Sequence, residues 1–318
     1  MANRSLRTCG FLVLLASLGP NAGWGQTDPG SGEGPTFPVQ AGVLVDGAFS
    51  RCEGIAFNGE GKLFVAGNSS LWHVNRDGSV ELVTELYSNL GLAPIGERDI
   101  LMADFGPTSR FDRGPNVDGI VWRITPEGEK TRVLDGGIGD PNALWVNPDG
   151  TFLVSDDATD EIIVANFQGQ SRLFTDAVGH PNGIAVSPDG STLYVAQIFK
   201  SIRPLVPDGR LWTIPLDESG EIAGFPELLV DLGDSAANDG LALDQLGRVY
   251  VAANGAGQIW RIDPESGDSV LIAEGLPGVA SLAFGQGEFD HQSLYATSTR
   301  TGRVWEVKVG VEGAPLHR

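Results

Sequence analysis

One sequence pattern recurs along most of this chain, and its period limits the fold more than any other feature. Each copy has a polar residue, then Gly or Ala, then an apolar stretch, a turn and a short apolar strand. The clear copies read EGIAFNGEGKLFVAG from Glu53, NALWVNPDGTFLVSD from Asn142, NGIAVSPDGSTLYVAQ from Asn182 and DGLALDQLGRVYVAA from Asp239, and a weaker one, ASLAFGQGEFDHQSLYATS, starts at Ala280. Units of ~40–45 residues with several short strands are typical of β-propeller blades, whereas a β-sandwich does not repeat at this length.

The gap between Glu53 and Asn142 leaves room for one more unit. It contains DILMADFG (Asp99–Gly106) and GIVWRITPEG (Gly119–Gly128), although its first strand is poorly formed. Every unit continues with a third strand such as GRLWTIPLD, and all but the last have a fourth such as VELVTEL. Turn sequences such as NPDG and SPDG separate the strands. The sequence therefore predicts an all-β fold, a six-bladed β-propeller of four-stranded blades.

The two ends of the repeat indicate how the ring closes. The sixth unit ends at VWEVKVG without a fourth strand, and a matching segment, AGVLVDG (Ala41–Gly47), precedes the first unit. An N-terminal strand that completes the last blade would pair edges that are otherwise open. We therefore predict one propeller domain over residues 37–310, closed by an N-terminal strand and followed by a C-terminal tail at 311–318.

The first 25 residues have the layout of a secretory signal. Arg4 and Arg7 precede the apolar run Cys9–Leu18, and small residues follow. We predict cleavage near Gly25, a flexible linker at 26–36 and a secreted or periplasmic protein; a short membrane anchor is the alternative. Cleavage would leave Cys52 as the single cysteine, which is either a reactive thiol or a small buried side chain.

The charge balance excludes two classes of partner. The chain has 21 Lys+Arg against 41 Asp+Glu, a formal net charge of −20. Nucleic-acid backbones and anionic membranes both select basic surfaces. We therefore expect no nucleic acid and, for the mature form, no membrane among its partners.

The polar residue that starts each repeat indicates a metal site. In a propeller the first strands line the central channel, so equivalent positions converge on the axis. Glu53, Asn142, Asn182 and Asp239 supply two carboxylates and two amide oxygens, and Ala280 breaks the series. Such an oxygen set suits Ca²⁺, with another divalent cation as an alternative. Asn and Asp also start strands after turns for local reasons, so the pattern alone leaves turn chemistry open.

These repeats resemble a known family. EGIAF, LFVAG, PNGIAVSPDGSTLYVA and NDGLALDQLGRVYVA are similar to the senescence-marker-protein/gluconolactonase family, the regucalcin-like six-bladed propellers, over about residues 50–309. The resemblance implies a divalent metal, usually calcium, held by a Glu, one or two Asn and an Asp, roles that fall on Glu53, Asn142, Asn182 and Asp239. It also implies hydrolysis of small-molecule lactones or related esters.

One stretch departs from the family pattern. The family's sugar-acid lactonases often read Arg-x-Asn-Asp around the third-blade Asn, with the Arg contacting substrate. Here the residues are Asp140, Pro141, Asn142 and Ala143. Metal binding through Asn142 survives this change, whereas a gluconolactone-like specificity is not expected.

A metal in such a channel supports hydrolysis. A bound cation polarises a lactone or ester carbonyl, and a carboxylate beside it acts as base. We assign Asp239 both roles, metal ligand and catalytic base. His180, two residues before Asn182, is a candidate proton shuttle at the channel mouth or else a solvated turn histidine. The sequence contains neither a GxSxG elbow nor HExxH zinc spacing.

Two other functions fit the same repeats. One is a non-catalytic extracellular binding propeller in which the metal only ties blades together. The other is a lyase or synthase on the related strictosidine-synthase-like propeller, which would not need the full metal set. Calcium-dependent turnover of lactones separates the first of these from a hydrolase.

Overall fold

The structure is a computed structural model that describes residues 35–109 and 116–316. Within these ranges there are 26 strands, of which 24 form six four-stranded antiparallel sheets and two form a separate hairpin. The described residues contain no helix, and hence none that could cross a membrane. The predicted all-β, six-bladed propeller is confirmed.

The strands follow the predicted units. The N-terminal strand is β1 (Gly42–Val45). Blade 1 contains β2 (Cys52–Phe57), β3 (Leu63–Gly67), β4 (Ser70–Val74) and β5 (Val80–Glu85); blade 2 contains β6 (Leu92–Ile95), β7 (Asp99–Asp104), β8 (Ile120–Ile124) and β9 (Lys130–Asp135); blade 3 contains β10 (Pro141–Val146), β11 (Thr151–Asp156), β12 (Ile162–Asn166) and β13 (Ser171–Thr175). Blade 4 contains β14 (Pro181–Val186), β15 (Thr192–Gln197), β18 (Arg210–Pro215) and β19 (Glu227–Asp231), with the hairpin β16 (Phe199–Ile202) and β17 (Leu205–Pro207) inserted; blade 5 contains β20 (Asn238–Leu243), β21 (Val249–Ala253), β22 (Gln258–Ile262) and β23 (Ser269–Glu274); blade 6 contains β24 (Val279–Phe284), β25 (Ser293–Ser298) and β26 (Val304–Lys308).

The N-terminal strand closes the ring as predicted. β1 pairs antiparallel with β26, with Gly42 opposite Glu306 and Val43 opposite Trp305, so it is the fourth strand of blade 6. The inner residue Val45 is buried, whereas Val43 faces solvent. This pairing joins the two ends of the described chain in one sheet.

The poorly formed first strand of blade 2 is also present. β6 has four residues, whereas each of the other five first strands has six. Pro94 lies within β6 and removes one backbone donor, which is consistent with its weak sequence signal.

The core lies between neighbouring blades. Buried side chains of adjacent sheets interdigitate, such as Phe152 of blade 3 with Leu101 of blade 2. Cys52 belongs to one of these clusters and is fully buried, and burial raises the pKa of its thiol to about 12. A thiol that stays protonated is a packing residue, so the buried interpretation of Cys52 is confirmed.

The antiparallel order of each blade defines two faces of the ring. First strands begin, and second strands end, at one face, which we call the site face; the NPDG and SPDG turns lie at the other. The hairpin β16–β17 joins the second and third strands of blade 4 and so projects from the site face. This insertion accounts for the long spacing between Asn182 and Asp239.

The far end of the central channel is apolar and covered. Side chains of the first strands line a cavity of ≈ 160 Å³ together with Ala314, Pro315 and Leu316. Ala314 donates its N–H to the Leu243 carbonyl at 2.9 Å, and Gly313 bridges to Asp244. Residues 311–316, predicted as a tail, therefore lie across the channel end. The predicted signal sequence at 1–25 and most of the linker at 26–36 fall outside the described residues.

Candidate metal centre

Equivalent residues near the start of each blade's first strand form a ring around the axis, and we call them the ring residues. In chain order the positions are Glu53, Leu90, Asn142, Asn182, Asp239 and Ala280. The sequence pattern in blade 2 is weak because Leu90, a buried apolar residue, takes the polar position. Four of the six positions carry a side-chain oxygen, and they are the four positions that the sequence pattern singled out.

Glycine after the ring residue lets neighbouring first strands approach closely. A Cβ on Gly183 would lie 2.3 Å from the Asp239 carbonyl oxygen, and one on Gly54 would lie 2.0 Å from that of Leu90. Both distances are shorter than any real contact of a Cβ atom. The recurring Gly in the repeat is thus a packing requirement at the axis.

The structure adds a carboxylate that the repeat pattern did not reveal. Asp157 directly follows β11, and its Oδ2 accepts a hydrogen bond from Asn142 Nδ2 at 3.0 Å and a longer one from Asn182 Nδ2 at 3.4 Å. Asn142 Nδ2 also lies 3.4 Å from Glu53 Oε1. Three predicted residues and Asp157 therefore lie in one hydrogen-bonded cluster.

Asp239 lies in β20 of blade 5, beside β14 of blade 4, and has its own partner. Its Oδ2 accepts a hydrogen bond from Asn254 Nδ2 at 3.0 Å. Asn254 follows β21 and also donates to Thr299 Oγ1 at 3.2 Å. Second-strand ends thus support the ring residues in blade 5 as they do in blade 3.

The three carboxyl groups of this cluster all have a raised pKa. Burial is the main cause in all three: it raises the pKa of Glu53 to about 7, and it raises the pKa of Asp157 and of Asp239 well above the usual range for aspartate. The negative charge of Glu53 raises the pKa of both aspartates further. With all three carboxylates ionised, the polar end of the channel would hold negative charge that a bound cation could balance.

This donor set fits a hard divalent cation. Asp157 Oδ1 is a buried oxygen without a hydrogen-bond partner, which is costly unless something else binds it. In the described ranges no group of three or more His, Cys, Asp or Glu side chains is arranged to hold a metal by itself. A cation here would therefore use the amide oxygens of Asn142 and Asn182 with the carboxylates, a mixed oxygen set that Ca²⁺ accepts.

His180 lies at the rim of this cluster, with its backbone in the left-handed region at φ 45°. Its Nδ1 lies 3.0 Å from the Asp157 carbonyl oxygen; because a carbonyl only accepts, Nδ1 carries the proton. The imidazole also contacts the Phe199 ring edge-on, at 6.4 Å between centroids. His180 is thus a partly buried residue that ties the hairpin to Asp157, and its role as a proton shuttle stays a prediction.

Asp140, the residue at which the sequence departs from the resembled lactonases, is turned into the protein. It is fully buried and accepts hydrogen bonds from Asn116 Nδ2 and Ser109 Oγ, both at 2.9 Å. These bonds attach the segment between β7 and β8 to blade 3. Asp140 therefore has structural partners within the protein.

Comparisons with known proteins agree with the fold and the repeats. Residues 154–300 match the sequence profile of the SMP-30/Gluconolactonase/LRE-like region. The match covers less than half of the chain, and together with the fold it supports the likeness to gluconolactonase-like propellers that the sequence resemblance indicated. No curated protein sequence matches the chain.

Two solved structures illustrate the likeness. One is a regucalcin from Agrobacterium tumefaciens strain C58, described as a calcium-binding protein, with 21% identity over 89% of this chain and 98% of that chain and a TM-score of 0.70. Another is a gluconolactonase from Xanthomonas campestris, with 17% identity over 85% of this chain and 88% of that chain and a TM-score of 0.67. At these identities the likeness establishes the shared fold.

Proposed function

We propose that this protein is an exported, calcium-dependent hydrolase that opens lactones or related esters at the polar end of its central channel. The observation that carries the proposal is the cluster of Glu53, Asp157 and Asp239 around two amides, with one buried carboxylate oxygen left without a partner. Buried like charges of this kind need a compensating cation. The family of the fold supports the same activity.

The ligands we assign are Glu53, Asn142, Asn182 and Asp239, with Asp157 added by the structure. A bound Ca²⁺ would polarise the carbonyl oxygen of a lactone or ester and favour the oxyanion that forms on attack. Asn142 and Asn182 now direct N–H groups at Asp157. Because an amide carries an oxygen as well, a half-turn of either side chain would present that oxygen instead.

Asp239 is the residue we assign to proton transfer. The hydrogen bond from Asn254 occupies its Oδ2 and fixes the plane of the carboxylate. Its other oxygen can take a proton from an attacking water. His180 carries its proton on Nδ1, so its Nε2 is the nitrogen that would accept one at the channel rim.

The charge of the protein favours a neutral substrate. The net charge is −20, and Asp140 stands where the family's sugar-acid lactonases often have an arginine. An anionic sugar acid would therefore meet a net negative protein, with an acid in the place of that arginine. We propose neutral lactones or esters as the substrate class.

The direct experiment is a substrate panel measured against calcium concentration. Aliphatic and aromatic lactones, aryl esters and a phosphotriester are incubated with the full chain in chelator and in increasing calcium. We expect calcium-dependent opening of at least one neutral lactone or ester. If calcium binds and stabilises the protein but no substrate turns over, the non-catalytic binding propeller is the better account. Export is tested separately: the N-terminus of protein recovered from the periplasm or medium should begin near Gln26.

A further inference from the structure

The junctions between neighbouring first strands are of two kinds. At four junctions a glycine follows the ring residue. A Cβ added to that glycine would lie 2.0–2.7 Å from the main-chain carbonyl oxygen of the ring residue in the next blade. We call these glycine junctions, and their glycines are Gly54, Gly91, Gly183 and Gly240. Here the two main chains are in direct contact, because the carbonyl oxygen of the next blade's ring residue packs against the glycine Cα.

The other two junctions are closed by a side-chain hydroxyl. In blade 3, where Ala143 follows the ring residue, its N–H donates to Ser155 Oγ at 3.0 Å, and that hydroxyl donates to the Asn182 carbonyl at 2.7 Å. In blade 6, the Ser281 N–H donates to Thr297 Oγ1 at 3.1 Å, and Thr297 donates to the Glu53 carbonyl. We call these hydroxyl junctions.

The second strands follow the same division. Ser155 and Thr297 occupy equivalent positions in their second strands. Each is the residue after the one that pairs with the first strand, where Val154 pairs with Leu144 and Ala296 with Leu282. In the four blades with a glycine junction, the equivalent residues are all alanine: Ala66, Ala103, Ala196 and Ala252. Where the residue after the ring residue has a Cβ, the equivalent second-strand residue thus carries a hydroxyl. Where that residue is glycine, the equivalent second-strand residue is alanine.

We propose that Ser155 and Thr297 are positioning residues for the candidate calcium site. Each holds the main-chain carbonyl of a residue whose side chain is a candidate ligand, Asn182 in one case and Glu53 in the other. Both hydroxyl-bearing residues are fully buried, so each bond is made without competition from water. The proposal rests on the calcium site proposed above and adds the residues that set the orientation of its ligands.

Loss of either hydroxyl removes two hydrogen bonds at once. In Ser155→Ala the Ala143 N–H and the Asn182 carbonyl both lose a partner at the junction. Residues that orient metal ligands in this way typically contribute ~10–100-fold to metal affinity. The effect should appear in calcium affinity itself, beyond any general loss of stability.

Calcium titration calorimetry of the full chain tests this. We expect Ser155→Ala to bind calcium at least ~10-fold more weakly than wild type. The double variant Ala143→Gly/Ser155→Ala, which converts the junction to the glycine kind, should recover most of that loss. Ser187→Ala is the matched control, because Ser187 is also a buried hydroxyl with two hydrogen bonds, but in the β14–β15 turn at the opposite face. Its calcium affinity should equal that of wild type.

Thr297 gives a second, independent test. Thr297→Val keeps the shape and removes the hydroxyl, whereas Thr297→Ser keeps the hydroxyl and removes a methyl group. We expect weakened calcium binding for the valine variant and wild-type affinity for the serine variant. Wild type that binds no calcium would overturn the proposed site itself. Wild type that binds calcium, with Ser155→Ala and Thr297→Val binding as tightly, would overturn the positioning role alone.

Discussion

The two ends of the central channel are built from the same six strands but differ in chemistry. At the site face, the ring residues and Asp157 gather carboxylates and amides, and the buried Asp157 Oδ1 has no hydrogen-bond partner. Four residues further along each strand, ~13 Å away at ~3.3 Å per residue, the lining is apolar. There Phe57, Val146 and Phe284 face a cavity covered by Ala314–Leu316.

This contrast separates function from stability. The apolar end satisfies its backbone groups and packs its side chains, as when the C-terminal segment bonds to Leu243. The polar end concentrates negative charge that the protein's own side chains do not balance. Changes at the polar end should therefore alter calcium binding and turnover, and changes at the apolar end should alter stability alone.

The largest effect is expected from Asp239→Asn. This variant keeps an oxygen ligand but removes the negative charge and the basic group. Loss of a general base typically lowers a rate by ~10²–10⁴-fold. We expect hydrolysis of the best substrate in the panel to fall by this factor and to stay low at saturating calcium. Recovery of the wild-type rate at high calcium would contradict the assignment of Asp239 as base.

Asn182→Ala is the matched comparison within the ring. It removes a neutral ligand and leaves all three carboxylates in place. We expect weaker calcium affinity and activity that returns as the calcium concentration rises, measured as rate against calcium. An activity that stays low at every calcium concentration would show that Asn182 does more than hold the metal.

At the apolar end, Phe284→Ala should destabilise the protein without affecting the metal. Phe284 is buried, packs edge-on against Tyr250 and contacts Gly313. Truncation of a buried phenylalanine typically costs ~3–5 kcal/mol. Urea unfolding should show this loss of unfolding free energy, while calorimetry shows unchanged calcium affinity. A large change in calcium affinity would mean that the two ends are coupled.

The smallest predicted effect is a change in the free energy of unfolding, and it has opposite signs with and without calcium. Asp157→Asn removes one of three neighbouring negative charges and keeps an oxygen that can accept from Asn142 and Asn182. In chelator at neutral pH we expect the variant to be more stable than wild type, because a buried carboxylate with a raised pKa opposes folding once it is ionised. In excess calcium it should be less stable than wild type. A variant that is less stable in both conditions would show that Asp157 is structural only.

The sequence predicted the fold and the ring residues because both repeat. Closure of blade 6 by β1 followed from a missing fourth strand, and the four oxygen-bearing ring positions followed from their place before Gly or Ala. The alignment of units carried this information without any knowledge of side-chain contacts.

The parts that sequence reasoning missed do not repeat. Asp157 belongs to one blade only, and the doublet Asp156–Asp157 at the end of a second strand was its only signal. In a propeller the second strands end at the face where the first strands begin. A carboxylate at the end of a second strand is therefore a candidate for the site, and this rule would have pointed to Asp157. The structural burial of Asp140 depends on the segment around Ser109 and Asn116, whose contacts no pattern in the sequence reveals.

The central claim is that the polar end of the channel binds a divalent cation in the folded state. Thermal unfolding of wild type in chelator and in calcium tests it most directly. A cation bound only by the folded protein stabilises it by RT ln(1 + [L]/Kd), about 2.7 kcal/mol at a hundredfold excess over Kd. We predict a lower melting temperature in chelator and full recovery when calcium is restored. A melting curve that is the same in chelator and in calcium would contradict the account.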